Sequence, residues 1–301
     1  MDPITAACIE YMEHIRRGGE KADLSPFANV QVRDRQRKLH PSGLCLCDRK
    51  AVYRIMADQG EIEPDLPDDP VEQLGHHIGY IFQDFVAEAL AWKGALENVE
   101  IPVENDMWTG RADLLVKPHM LDYSDSGNRF MWDATHDDYD YWLVDVKTVK
   151  GYGLYNRYPK EWHIAQVEKY QAMLGLHALP VLYYATRVDF TSALFTWHWE
   201  PNCNVYQWEE ARPVTNFYDL DERMEWSERA QEHWLKTDEL PDRIAGNPTD
   251  HDFMCTKYER YGKYKGQHKV TCQFFGQCWG REIPESMHIP KGGAVEDDYP
   301  F

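Results

Sequence analysis

Apolar and polar positions divide the chain into a helical start, a block of strands enclosing one helix, and a mixed C-terminal end. Residues 71–94, VEQLGHHIGYIFQDFVAEALAWKG, place apolar side chains at 74, 78, 81, 82, 85, 86, 89 and 90. That spacing has the 3.6-residue period of an amphipathic helix, sustained for about six turns and stopped by Gly94. Residues 2–17 and 48–58 also read as helical. Five segments, 98–104, 108–117, 141–149, 180–188 and 192–200, are short and rich in β-branched and aromatic residues, as strands are. Between the third and fourth of them, KEWHIAQVEKYQAMLGL predicts a helix over roughly 160–176. A further helix is expected near 219–236. The acidic, proline-bearing 60–70 and the long acidic 118–140 read as excursions from the core. A leading helix, three strands, a helix and two strands predict an α/β fold, a mixed central β-sheet flanked by helices.

Composition narrows the class. The chain has 301 residues, 43% hydrophobic and 13% aromatic, enough for one large packed core with appended segments. No run of eighteen apolar residues occurs, and the start carries acids where a secretory signal would be apolar, so a cytoplasmic, non-membrane protein is expected. The formal charge of −19 excludes a uniformly basic surface. Any polyanionic partner must then be held by a local patch or through metal ions.

The strand YWLVDVKTV raises the chemical question. Asp145 and Lys147 are two apart, so both side chains share one face of a strand that otherwise reads as buried. A solvated edge strand with a surface ion pair would account for them. The preceding strand offers Asp113, within TGRAD, as a second carboxylate. Two carboxylates converging in a partly buried site are costly unless a cation neutralises them. Mg²⁺ or Mn²⁺ suits oxygen ligands and keeps waters for chemistry, and Lys147 would polarise the attacking water and stabilise a pentacovalent phosphate. The helix after this strand adds His163, Gln166 and Tyr170 on one face.

GRAD on one strand, DVKT on the next and QVEKY in the following helix resemble the PD-(D/E)XK nuclease superfamily, and most closely its RecB-like branch. The resemblance spans about residues 42–200 and a C-terminal cysteine patch. It implies a restriction-endonuclease-like core over 71–200, between an N-terminal helical segment (1–70) and a cysteine-rich C-terminal segment (201–301). It also implies catalysis by Asp113, Asp145, Lys147, Gln166 and Tyr170. The Mg²⁺ or Mn²⁺ ligands it implies are His77, Asp113, Asp145 and Val146. His76 is an alternative to His77, and Gln83, Asp84 and Glu88 stand further along the same helix. The implied activity is a metal-dependent DNA exonuclease that processes ends in recombination, repair or replication, in a prokaryote or phage. A structure-specific endonuclease of the same fold and a non-catalytic DNA-end-binding subunit are the alternatives.

Seven cysteines, odd in number and unevenly spaced, favour metal ligation over disulfides in such a chain. Cys255, Cys272 and Cys278 lie in a short C-terminal stretch, and Cys45 or Cys47 can supply a fourth ligand. The resemblance extends to this set. AddB-type and CRISPR-adaptation nucleases hold a 4Fe–4S cluster with one cysteine before the core and three after it. The CDRK context selects Cys47, so that Cys47, Cys255, Cys272 and Cys278 form the implied cluster site and Cys45 is spare. Zinc, or plain buried thiols, remain the alternatives. The segment KYERYGKYKGQHK interleaves Lys257, Arg260, Lys263 and Lys265 with tyrosines. With RDRQRK (33–38), Arg49 and Lys50, it is the expected contact for DNA phosphates and unpaired bases.

Overall fold

The structure, a computed structural model, describes residues 1–27, 37–66, 70–121, 139–149, 159–186, 191–199, 201–208, 212–243, 256–258, 267–270, 272–279 and 287–288. Three helices open the chain: α1 (Pro3–Arg16), α2 (Asp48–Asp58) and α3 (Pro70–Trp92). Asp2 caps α1, its Oδ1 accepting from the Thr5 N–H at 2.8 Å, with Pro3 at the first helical position. Four strands and one helix follow: β1 (Leu96–Glu104), β2 (Thr109–Val116), β3 (Tyr141–Val149), α4 (Glu161–Leu174) and β4 (Ala178–Thr186). Gly175 ends α4 in the left-handed region, at φ 60°. Three more strands, β5 (Ser192–Trp199), β6 (Cys203–Gln207) and β7 (Thr215–Phe217), complete the sheet, and α5 (Leu220–Thr237) follows.

The sheet has seven strands in sequential order, β1 to β7. β3 and β4 are parallel, and every other neighbouring pair is antiparallel. The parallel pair is the one joined through a helix, α4, as a parallel crossover requires. The fold is therefore α/β with a mixed sheet and helices on both faces. Ile4, Ala7 and Tyr11 of α1 and Phe82, Val86 and Leu90 of α3 pack with Leu114, Val144 and Val181 on one face. Ile164, Val167 and Tyr170 of α4 pack with Leu143, Leu182 and Phe195 on the other. No described helix is long and apolar enough to cross a membrane.

A smaller sheet, order β10-β9-β8, joins β8 (Thr256–Tyr258), β9 (His268–Val270) and β10 (Met287–His288). Helix α6 (Phe275–Trp279) lies beside it in sequence. Val270, Phe274, Phe275 and Trp279 pack with Tyr53 of α2 and Leu66, so the C-terminal segment rests on the N-terminal one. The Asp65 and Leu66 N–H groups donate to the Gln273 carbonyl, at 2.8 and 3.2 Å, and fasten the same contact.

The first strand of the large sheet is twisted out of regularity at one residue. Glu100, inside β1, has φ +51°, a left-handed conformation that a non-glycine residue adopts only when its surroundings impose it. A regular strand would keep Val99 and Ile101 on one face. Here Val99 packs with the α1/α3 layer and Ile101 with the α4 layer. Their partners switch in the same way: Leu114, opposite Val99, faces the first layer and Ala112, opposite Ile101, the second.

Candidate active site

The acid and base of DVKT do not lie on a solvated edge. β3 is internal to the sheet, between β2 and β4, and Asp145 is only 2% exposed. What makes room for chemistry is a fork. β2 and β3 pair only through Leu114–Val144, Leu115–Leu143 and Val116–Trp142. Beyond that point β2 continues with β1 as far as Thr109, while β3 continues with β4 as far as Val149. Asp113 and Asp145 are the first residues past the split on their two strands.

Asp113 bridges it: its Oδ2 accepts from the Val146 N–H at 2.8 Å, where a regular ladder would have offered a backbone carbonyl. The Lys147 ammonium lies 2.9 Å from Asp145 Oδ1 and 2.7 Å from Oδ2. Only the first contact has hydrogen-bond geometry; among the described residues Oδ2 meets the ammonium as an ion pair without a hydrogen bond. From Lys147 a weaker chain runs onto α4. The ammonium donates to Gln166 Oε1 at 3.4 Å, and Gln166 Nε2 donates to the Tyr170 hydroxyl at 3.4 Å.

Charge in this fork is unbalanced. Burial, and then repulsion from Asp145, push the Asp113 carboxyl up to about 8, against the pull of Lys147 and the Val146 N–H. Burial also raises Asp145, with Lys147 opposing. Burial alone would lower Lys147, but Asp145 and Asp113 outweigh it and hold the ammonium charged. Tyr170 is pushed up to about 12, chiefly by burial, and so stays a neutral donor. His163, next on the α4 face, is driven well below the usual histidine value by burial and by the Lys147 and Lys160 charges. Its Nδ1 pairs with the Tyr184 hydroxyl at 2.5 Å, and Tyr184 is the register partner of Lys147.

Two carboxylates with one lysine between them suit a hard divalent cation. Its charge would offset the burial and the repulsion from Asp145 that together hold Asp113 up. Val146 contributes its N–H to Asp113, and its side chain is in the α1/α3 core. Among the described residues, no three His, Cys, Asp or Glu side chains converge as a metal-holding group.

Other expected residues fall away from the fork. His76 and His77 are both exposed on the N-terminal half of α3, and among the described residues neither shows a contact with the carboxylates. Gln83 of the same helix is buried and donates to Glu100 Oε1 at 2.8 Å. Glu100 also pairs with Arg111, at 3.0 Å, and its charge adds to the pressure on Asp113. Neither Glu100 nor Arg111 was singled out by motif. The only signal for Arg111 was its place inside GRAD, and nothing in VEIPVE announces a positive φ.

Arg49 and Lys50 are half-buried and lie toward the C-terminal segment. Arg49 Nε donates to the Pro241 carbonyl at 2.6 Å, and the Lys50 charge acts on Cys272, whose thiol is raised by burial. Of RDRQRK, Arg37 pairs with Asp238 and lies 4.6 Å over the Trp234 ring, and Lys38 pairs with Glu104. Residues 33–36 lie outside the described residues, as do Arg260, Lys263 and Lys265, and the side chain of Lys257 is not described.

Cys47 immediately precedes α2 and is buried, as are Cys272 and Cys278. The last two are close enough for the charge of one to act on the other, with Lys50 and Asp65 beside them. Cys45 lies among Arg223, Asp48, Glu161 and Glu228, and burial pushes its thiol up to about 12. Cys255 lies outside the described residues. Cys8 and Cys203 are buried thiols of the main core.

No family model matches this chain, and no curated protein matches it. A solved structure, "Crystal structure of SSO0001", is similar at 12% identity, over 83% of this chain and 90% of that one, with a TM-score of 0.34. A likeness of that size carries no argument about fold or activity.

Proposed function

We propose that this protein is a divalent-metal-dependent deoxyribonuclease of the PD-(D/E)XK, RecB-like kind, acting on DNA ends as an exonuclease. The observation that carries the reading is the fork itself. Asp113 and Asp145 meet where β2 leaves β3, with Lys147 held on Asp145 at 2.9 Å and braced from α4 by Gln166. The residues that would hold Mg²⁺ or Mn²⁺ are Asp113 and Asp145, and the ion would supply charge neutralisation and a more acidic water. Lys147 is charged and aimed into the fork, where it can orient water and donate to a non-bridging phosphate oxygen. Gln166 Oε1 holds the lysine, and the neutral Tyr170 hydroxyl, which accepts from Gln166 Nε2, can donate to the DNA backbone. Water oxygen bonds to phosphorus as the bridging P–O bond breaks, and a proton given up by that water ends on the departing oxygen.

The reading includes a 4Fe–4S cluster on Cys47, Cys255, Cys272 and Cys278, with zinc as the competing occupant. It rests on the seating of the C-terminal segment on α2 and on burial of the three described thiols, which do not themselves converge as a metal-holding group. Closing a loop of this length would stabilise by somewhat more than the roughly 4.7 kcal/mol of a 100-residue loop in the chain-entropy model.

The test of the activity is digestion of end-labelled single- and double-stranded DNA with Mg²⁺ and with Mn²⁺. Release of label from free ends, with closed circles untouched, is expected. Cleavage of closed single-stranded circles would move the reading to an endonuclease, and no cleavage of any substrate with either ion would remove it.

A further inference from the structure

An enzyme with a formal charge of −19 must place cations where the nucleic acid backbone passes. Many cations on this chain are already taken: Lys93 by Glu10, Lys117 by Glu97, Lys169 by Glu228, Arg223 by Glu161. On the two strands that flank the fork, the cations are Lys147 of β3 and Arg111 of β2. Lys147 belongs to the buried pair with Asp145. Arg111 is different: it is two residues from Asp113, and its side chain remains 35% exposed while it pairs with Glu100, itself 31% exposed.

The acid that holds Arg111 is specially presented. Glu100 lies on the rung between the pairs Val99–Leu114 and Ile101–Ala112, which puts it opposite Asp113. It does so at φ +51°, and its other oxygen is gripped by Gln83 from α3 at 2.8 Å. Gln83 and the twisted strand thus fix Glu100, whose charge reaches Asp113, and Glu100 fixes the guanidinium. A half-exposed ion pair is weak, so a phosphate can displace its acid. A guanidinium matches two phosphate oxygens at once, as an ammonium cannot.

We propose that Arg111 is a substrate-binding residue for the phosphodiester backbone, contacting a phosphate next to the one cleaved, and that Glu100 parks it in the free protein. This rests on the nuclease reading of the fork and names a contact that reading does not supply. Substrate entry exchanges the Glu100 carboxylate for a phosphate on the same guanidinium, and leaves Glu100 held by Gln83.

The test is equilibrium binding of a labelled single-stranded oligonucleotide with Mg²⁺ in an Asp145→Asn background, across a salt series. Arg111→Ala is expected to weaken binding about tenfold or more. It should also lower the slope of log K against log salt by about 0.7, the value of one phosphate contact on a single strand. Arg111→Lys should recover part of the affinity. Glu100→Gln, which frees the guanidinium, should tighten binding about two- to fivefold, and should change nothing when Arg111 is already alanine. Unchanged affinity and slope in Arg111→Ala, alongside wild-type protein that binds and cleaves DNA, would overturn this assignment and leave the nuclease reading intact. Wild-type protein that neither binds nor cleaves would overturn both.

Discussion

Gly110 and Tyr170 are in van der Waals contact in a way that ties the GRAD strand to the QVEKY helix. A Cβ built on Gly110 would lie 2.8 Å from Tyr170 Cε1, and 3.3 Å from both the Tyr170 hydroxyl and Pro41 Cδ. The glycine is there for the tyrosine ring, which in turn carries the hydroxyl that meets Gln166. Gly110→Ala should cost about 1–3 kcal/mol in denaturant unfolding, the usual range for overpacking. In a Tyr170→Ala background most of that cost should vanish, because residues in contact are non-additive. Equal costs in both backgrounds would show that the ring is not what excludes the side chain.

The Asp145–Lys147 pair separates stability from catalysis. Lys147→Ala strands a carboxylate that is 2% exposed, and should cost on the order of 3 kcal/mol as well as cleavage. The double variant Asp145→Asn, Lys147→Met removes both charges and should regain most of the stability in thermal melts. Its cleavage rate, like those of Asp113→Ala and Asp145→Ala, should stay down by about a hundredfold or more. Recovered cleavage in the double variant would take the pair out of the mechanism.

Gln166 and Tyr170 should behave in the opposite way. Their mutual bond and the bond from Lys147 are each 3.4 Å long, so little stability rests on them. Gln166→Ala and Tyr170→Phe should unfold within about 1.5 kcal/mol of wild type. Turnover should fall about ten- to hundredfold, because they set the position of the lysine. Wild-type kcat in both would detach α4 from the chemistry.

Asp113 predicts how the metal-free protein responds to pH. Its folded-state value is raised to about 8, above the ordinary carboxylate value it has when unfolded. The folded state therefore binds the proton more tightly. The stability this contributes is fully present below the unfolded value and is lost as pH rises through about 8. In chelator, the melting temperature of wild type relative to Asp113→Asn should fall steadily between about pH 4 and pH 8. If Asp113 holds the ion, added Mg²⁺ should stabilise wild type more at pH 8 than at pH 6, since ion and proton would then compete for one carboxylate. A flat difference curve would mean that Asp113 is not strained in the free protein.

Much of this arrangement was legible because single elements carry their own signals. The six-turn period of 71–94 gave α3, the β-branched run gave β3 at 141–149 to the residue, and QVEKY sat inside a clear helix. Asp113, Asp145 and Lys147 therefore lie on strands, and Gln166 and Tyr170 on a helix, as the residue pattern expected. The misses are of two kinds. β6 alternates buried and half-buried over CNVYQ but is only five residues long, and β7 is three, too short for any period to register. The fork and the Glu100 twist are tertiary: they depend on where β2 stops pairing with β3, and no local residue choice records that. The exposure of His77 and the half-buried setting of Arg49 and Lys50 are likewise set by how α3 and α2 pack.

The cysteines give the last prediction. Lys50 and Asp65 lie beside Cys272, Tyr53 responds to the Cys278 charge, and Tyr53 and Lys50 stand on the helix that Cys47 begins. Cys45 lies among Arg223, Asp48, Glu161 and Glu228. If Cys47, Cys255, Cys272 and Cys278 hold one 4Fe–4S unit, anaerobically purified protein should be brown, with broad charge-transfer absorption. Serine at any of the four should bleach it and open residues 256–279 to protease, because the staple fixes that segment to α2. Cys45→Ser should stay coloured. Colourless protein with one equivalent of zinc would assign the site to zinc. Colour lost in Cys45→Ser yet kept in Cys47→Ser would reverse the choice between the two thiols, and protein without either metal would reduce all four to buried thiols.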